Sequence, residues 1–172
     1  MNNIVLIGMP GSGKSTVGVI LAKDLGYKFV DTDILICERE NTTLQNIINT
    51  QGVPQLLKIE GIVGEELKTS KTVIATGGSM VFSDKAMENL KKDSVCVFID
   101  VPLPEIKRRV RNIDTRGIAM EKGETLDTLY EKRMPKYREY ADITVSVKQR
   151  GRIENVVEKI IEKIKEKDCS QK

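Results

Sequence analysis

The residues Ile4-Val5-Leu6-Ile7-Gly8-Met9-Pro10-Gly11-Ser12-Gly13-Lys14-Ser15-Thr16 constrain this chain more than any other stretch. A short apolar run, the size of a buried strand, leads into three closely spaced glycines, and a helical pattern begins at Lys14. The arrangement is G-x-x-x-x-G-K-[ST] between a strand and a helix, a P-loop. Its glycines let the backbone curl so that successive N–H groups point at phosphate oxygens, and the following helix adds its positive dipole end. Gly11, Ser12, Gly13, Lys14, Ser15 and Thr16 are therefore the nucleotide candidates. Lys14 is placed to reach the β- and γ-phosphates, and the Ser15 hydroxyl to ligate Mg²⁺. A glycine-rich turn that binds nothing is the plain alternative, and the strand–helix context argues against it.

The rest of the chain supplies the framework such a loop needs. Val17, Ile20, Leu21 and Leu25 recur at helical spacing up to Gly26, a natural stop. Lys28-Phe29-Val30 then makes a second strand ending in Asp31-Thr32-Asp33, and a strand–helix–strand unit brings parallel strands out on one edge. Residues 34 to about 68 read as two or three helices with a break at Gly52-Val53-Pro54. Further strands are expected at Thr72–Thr76, Ser94–Asp100 and Ile143–Val147. Helices are expected at 104–111, at Leu126–Tyr140 despite Pro135, and from Ile153 to about Lys167, with residues 168–172 frayed. The polar, Gly-containing stretch of about 112–125 resembles a mobile lid. Five short apolar strands alternating with helices predict a three-layer α/β/α domain with a five-stranded parallel sheet, its ligands at the strand carboxyl ends.

Composition narrows the class further. A length of 172 residues, 40% of them hydrophobic and 31% charged, suits a single domain spanning 1–172. The formal charge of +3 is small and evenly mixed, so no sequence-wide field favours nucleic acid. Cys37, Cys96 and Cys169 are widely spaced and the chain has no histidine. A disulfide framework or a structural zinc site is not expected, and a cytoplasmic location is. The first strand carries the functional loop, so no removable signal is expected there. No apolar run reaches the length of a membrane span.

Several residues converge on the strand ends. Asp31 and Asp33 alternate along an extended segment, which would turn one carboxylate to the metal and the other to an acceptor. Gly77 and Gly78 follow the third strand and can bring backbone N–H groups against a substrate oxygen. Arg116 sits on the lid loop and can close over phosphates. Arg133 lies among surface charges and has no clear role from spacing alone.

Gly8–Ser15, Asp31-Thr32-Asp33, Gly77-Gly78, Arg116 and Lys132-Arg133-x-Pro-x-Tyr137, in this order and spacing, resemble the shikimate kinase family over about residues 3–165. The resemblance implies a P-loop kinase fold, ATP and Mg²⁺ as cofactors, a helical acceptor-binding region at about 34–68, and transfer of the γ-phosphoryl group to an acceptor hydroxyl, with shikimate as leading candidate. It implies that Lys14, Asp33 and Arg116 are the catalytic set. Asp31 would meet Mg²⁺ through its water shell, together with Ser15. Asp33 would hold the acceptor hydroxyl, Gly78 would touch the acceptor, and Arg133 would pair with its carboxylate. Arg109 and the pair Arg150/Arg152 are similar to positions flanking the adenine.

The departures fall on the acceptor side. The family's Phe-Arg-x-x-Glu reads Leu56-Leu57-Lys58-Ile59-Glu60 here, so Leu57 stands where an arginine is expected. Lys58 is roughly 100° further around a helix and does not substitute. Ser79 replaces the third glycine of the family's Gly-Gly-Gly loop, and the lid's Arg-Pro-Leu-Leu reads Arg116-Gly117-Ile118-Ala119. A shikimate-kinase-like enzyme acting on a different polyol or hydroxy acid is the alternative that Leu57 raises. A non-catalytic nucleotide-binding module is the alternative from another class. A small-molecule acceptor, no nucleic-acid or membrane partner, and a monomer complete the expectations.

Overall fold

The computed structural model describes residues 2–111, 117–148 and 151–170. A five-stranded, all-parallel sheet in the order β2-β3-β1-β4-β5 forms its centre. The strands are β1 (Asn3–Ile7), β2 (Lys28–Asp31), β3 (Thr72–Ala75), β4 (Ser94–Asp100) and β5 (Ile143–Ser146). Ile4, Val5, Leu6 and Ile7 are all buried, because β1 is central and covered on both faces. It pairs with β3 on one side and β4 on the other, with Leu6 opposite both Ala75 and Val97. The chain thus departs from β1 in two directions, and a crevice opens at its carboxyl end.

Helices flank the sheet on both sides: α1 (Lys14–Leu25), α2 (Thr32–Glu40), α3 (Leu44–Gln51), α4 (Val53–Glu66), α5 (Asp84–Lys91), α6 (Leu103–Arg109), α7 (Leu126–Tyr140) and α8 (Ile153–Ser170). Gly26 ends α1 in the left-handed conformation, as expected from its position after Leu25. Pro54 sits in the first turn of α4, where a missing N–H costs no helical bond, so the sequence break at 52–54 is a helix start. Pro135 is accommodated inside α7, which a Thr125/Thr128 capping box initiates. The stacked rings of Tyr137 on α7 and Phe98 on β4, 5.2 Å apart, seat that helix on the sheet.

Two features differ from the sequence expectations, and a third, the strand order, was left open by them: β2 is an edge strand separated from β1 by β3, so the first strand–helix–strand unit spans a neighbour. A 3₁₀ turn at Met80–Phe82 and helix α5 fill a stretch without a predicted element; a Ser83 N-cap starts α5, whose Oγ accepts from Ala86 N. Helix α8 runs on to Ser170, beyond the predicted end near Lys167.

The main core surrounds the sheet. A second apolar cluster of Ile36, Ile47, Val53, Leu56, Ile59, Val63 and Ala119 binds α2, α3 and α4 into one unit beside the strand ends. Ala119 ties the described part of the expected lid stretch to that unit.

Candidate active site

The P-loop and helix start lie where the sequence placed them. Gly13 precedes α1 with φ 94°, a backbone conformation that L side chains rarely adopt, and no side chain caps the helix. The first-turn N–H groups of α1 are therefore left for an anion. Lys14 is buried, and its ammonium donates to the carbonyls of Gly8 at 2.8 Å and Met9 at 3.0 Å. Two of its three protons are engaged, leaving one for a ligand. Burial lowers its pKa to about 8 against the opposing pull of Asp33. The Ser12 hydroxyl is buried without a hydrogen-bond partner among the described residues, beside the cradle.

Asp31 and Asp33 meet the loop by a different route from the one expected. Only Asp31 ends β2; the chain turns into α2 at Thr32, so Asp33 is already in a helical first turn and the strand alternation does not apply. Asp31 caps that helix, its Oδ1 accepting from Asp33 N at 3.0 Å, while its Oδ2 accepts from Ser15 Oγ at 2.6 Å. One hydroxyl and one carboxylate beside an uncapped helix start fit Mg²⁺, which keeps most of its waters and takes few protein oxygens. Asp33 turns inward. Its Oδ1 is buried and has no hydrogen bond among the described residues, and its pKa is pushed up to about 6 by burial first and Asp31 second.

The segment after β3 forms the opposite wall. The Gly77 N–H donates to Thr32 Oγ1 at 2.9 Å, so it is spent within the protein and not free for a substrate oxygen, contrary to the sequence expectation. A Cβ on Gly77 would stand 2.2 Å from Glu60 Oε1 and 2.7 Å from Asp33 Oδ1; one on Gly78 would stand 2.5 Å from an Arg133 nitrogen. Glycine is required here by close approach. Tyr137 donates to the Gly78 carbonyl at 2.7 Å, which brings α7 and Arg133 to this wall. Arg133 is 1% exposed, donates to Ala119 O at 3.1 Å, and keeps its Nε without a partner among the described residues.

These groups enclose a cavity of about 710 Å³, bounded by Gly11–Thr16, Asp33, Gly78, Arg109 and Arg133. Arg109 leans over the loop, its guanidinium 3.4 Å from the Gly11 and Ser12 carbonyls, and is held from behind by buried Glu105 at 2.7 Å. Arg152 is exposed and does not bound the cavity. Leu57 is half-buried against the second apolar cluster and does not bound it either. Arg116 and Arg150 lie outside the described residues.

Glu60 was not singled out by the sequence reading. It occupies the i+4 position from Leu56 in the apolar stripe of α4, with Ile59 and Val63 beside it, and a carboxylate inside such a stripe was the available signal. It is 4% exposed, bounds the cavity and accepts from the Ser79 hydroxyl. Burial raises its pKa to about 7.

The family model, the curated relatives and the solved structures that share 27% identity or more with this chain are shikimate kinases. The family model described as shikimate kinase matches residues 10–165. A shikimate kinase of Rippkaea orientalis is 39% identical over 165 residues, covering 94% of this chain and 87% of its own. The solved shikimate kinase of Acinetobacter baumannii in complex with shikimate is 31% identical, with a TM-score of 0.87 over 97% of this chain and 94% of its own. That of Aquifex aeolicus gives 0.79 at the same identity, over 97% and 98%. With a P-loop, two inward carboxyls and a buried arginine around one cavity, the chain belongs to the shikimate kinase family and is an ATP- and Mg²⁺-dependent phosphotransferase acting on a small-molecule hydroxyl.

Proposed function

We propose that the phosphoryl acceptor is shikimate. The observation that carries this is the pairing of two buried, under-satisfied groups: Asp33 offers a free carboxyl oxygen and Arg133 a free guanidinium N–H in the same cavity as Lys14. Buried polar atoms normally find partners, so both point to a ligand that brings a hydroxyl and an anionic group. A small hydroxy acid has both.

Ser15, with Asp31 through its water shell, would hold Mg²⁺, which would offset charge on the phosphate oxygens of ATP, the phosphoryl donor. Gly11–Thr16 position the phosphates with backbone N–H groups, and Lys14 adds a positive charge where negative charge accumulates. Asp33 orients the acceptor hydroxyl and takes its proton; with a pKa near 6 it is largely ionised at neutral pH and still basic enough to assist. Arg133 fixes the carboxylate end, Gly78 lets the acceptor approach the backbone, and Gly77 makes room for the Asp33 and Glu60 carboxyls. Arg116 serves as the lid arginine and Arg109, Arg150 and Arg152 flank the adenine. The protein works as a cytoplasmic monomer of one domain, without a nucleic-acid partner; among the described residues no helix is long and apolar enough to cross a membrane.

An ATP-consumption assay over shikimate, related hydroxy acids, sugars and nucleosides tests the acceptor. Shikimate is expected to be turned over with the highest kcat/KM. A polyol or another hydroxy acid turned over in its place would replace the acceptor, and Leu57, which leaves Arg133 as the sole buried arginine among the described residues, favours that second reading.

A further inference from the structure

The strip Gly117-Ile118-Ala119 bounds the active-site cavity and is buried along its length. Ile118 packs into the core around the sheet, and Ala119 into the second cluster formed by α2, α3 and α4. The Ala119 carbonyl accepts from Arg133 Nη2 at 3.1 Å, so the place of the strip sets where that guanidinium points. Ile118 also bounds a second cavity of about 730 Å³, together with Gln45, Ile48 and Met120. Open volume therefore borders the strip on more than its active-site side.

The strip is tied at its start to α3. The buried Gly117 N–H donates to Gln45 Oε1 at 3.1 Å, across 72 positions of sequence. Gln45 Nε2 donates in turn to Asn49 Oδ1 at 2.9 Å, one turn along the same helix, which fixes the end of the carboxamide that faces the glycine. Gly117 has φ 63°, in the left-handed region, and a Cβ there would collide with Leu44 Cβ and stand 3.1 Å from Gln45 N. Torsion and contact each require glycine. The proline of the Arg-Pro-Leu-Leu pattern would meet neither demand: its ring holds φ at about −65° and it has no N–H to give. Gly117 and Gln45 are thus two halves of one contact, which gives the departure at 117 a physical reason.

We propose that Gln45 is a positioning residue for the anionic group of the acceptor: it holds Gly117, and through the strip it holds the Ala119 carbonyl that aims Arg133. The inference rests on Arg133 meeting the acceptor carboxylate. Because Arg133 is the sole buried arginine among the described residues, its aim carries the recognition of that group. Removing the Gln45 oxygen leaves a buried N–H unpaired, and the strip relieves this by moving toward water, taking the Ala119 carbonyl with it.

Steady-state kinetics of Gln45→Ala on the carboxylate-bearing acceptor that the parent uses best tests the role. The KM of that acid is expected to rise about fivefold, the scale of one neutral hydrogen bond, with kcat and the KM for ATP within about twofold of the parent. Gln45→Glu keeps an oxygen for Gly117 and is expected to restore the parent KM to within about twofold. In an Arg133→Lys background Gln45→Ala adds nothing. An acceptor KM that is unchanged, or raised no more than that of ATP, overturns the proposal, as does an undiminished loss in the Arg133→Lys background. Hydrogen exchange of the Gly117 amide separates this failure from that of the acceptor reading. Exchange about fivefold faster in Gln45→Ala shows the tether even where the parent uses only uncharged acceptors, an outcome that rejects the carboxylate reading. Exchange at the parent rate overturns the tether itself.

Discussion

Asp33 does its work through its surroundings. The same carboxyl on an open surface would be a weak base; burial and the neighbouring Asp31 lift it toward neutrality. Asp33→Asn keeps the size and removes the base, so kcat is expected to fall at least 100-fold, roughly the scale of general-base catalysis, with the KM for ATP within about twofold of the parent. An equal loss of ATP affinity would move Asp33 to the nucleotide side. For the parent, kcat/KM is expected to rise with pH through about 6 as Asp33 ionises. Leu57 sits one helical turn before Glu60, the i, i+3 relation that lets side chains meet. With shikimate as acceptor, Leu57→Arg is expected to raise kcat/KM for shikimate by about tenfold for each 1.4 kcal/mol recovered at the carboxylate, leaving the KM for ATP alone. Steady-state kinetics decides; a parent that already binds shikimate tightly and a mutant that gains nothing would show that Arg133 suffices.

At the scale of elements, α4 is the piece on which the acceptor side is assembled. It carries Leu57 and Glu60, and it lies so close to α5 and the 3₁₀ turn that a Cβ on Gly64 would stand 2.6 Å from Ala86 Cβ and 2.7 Å from Met80 Sδ. Met80 follows Ser79 directly, so the contact that seats α4 also sets the Ser79–Glu60 geometry. Gly64→Ala is expected to destabilise the protein by about 1–3 kcal/mol through overpacking. Thermal unfolding would show it as a lower Tm, and kinetics as a raised acceptor KM with the KM for ATP little changed. An unshifted Tm would mean that α5 yields without cost. The helix pattern of α4 was legible from Leu56, Ile59 and Val63; its tight seating was not, because a glycine such as Gly64 gives no sign of close approach until its neighbours are in place. The start of α2 was misjudged for a related reason: the Asp31 cap ends the strand two residues earlier than alternation through Asp33 implies.

For the molecule as a whole, the buried carboxyls carry a cost in stability. Asp33 and Glu60 both have raised pKa values, about 6 and about 7, so the folded state retains protons that the unfolded chain gives up near pH 4. Their contribution is fully present below the unfolded values and is lost as pH rises through 6 to 7. Glu60→Gln, which cannot ionise, is expected to be more stable than the parent at pH 8 by about 3 kcal/mol, seen as a higher Tm, and equal to it near pH 4. A parent whose stability over that window matches the variant's would show that Glu60 is not held protonated. The sequence by itself determined the P-loop, the strand and helix alternation and the all-parallel class, because phosphate cradling and buried strands each need local residue patterns that a reader can see. From spacing alone Arg133 read as one charge among many, its place at the acceptor coming only from the family resemblance; Glu60 read as part of a helix, and Ser79 as a departure. Only the tertiary structure brought them to one cavity, since the order β2-β3-β1-β4-β5 and the docking of α4 and α7 arise from contacts between residues far apart in the chain, and fully apolar strands carry no mark of which neighbour they will take.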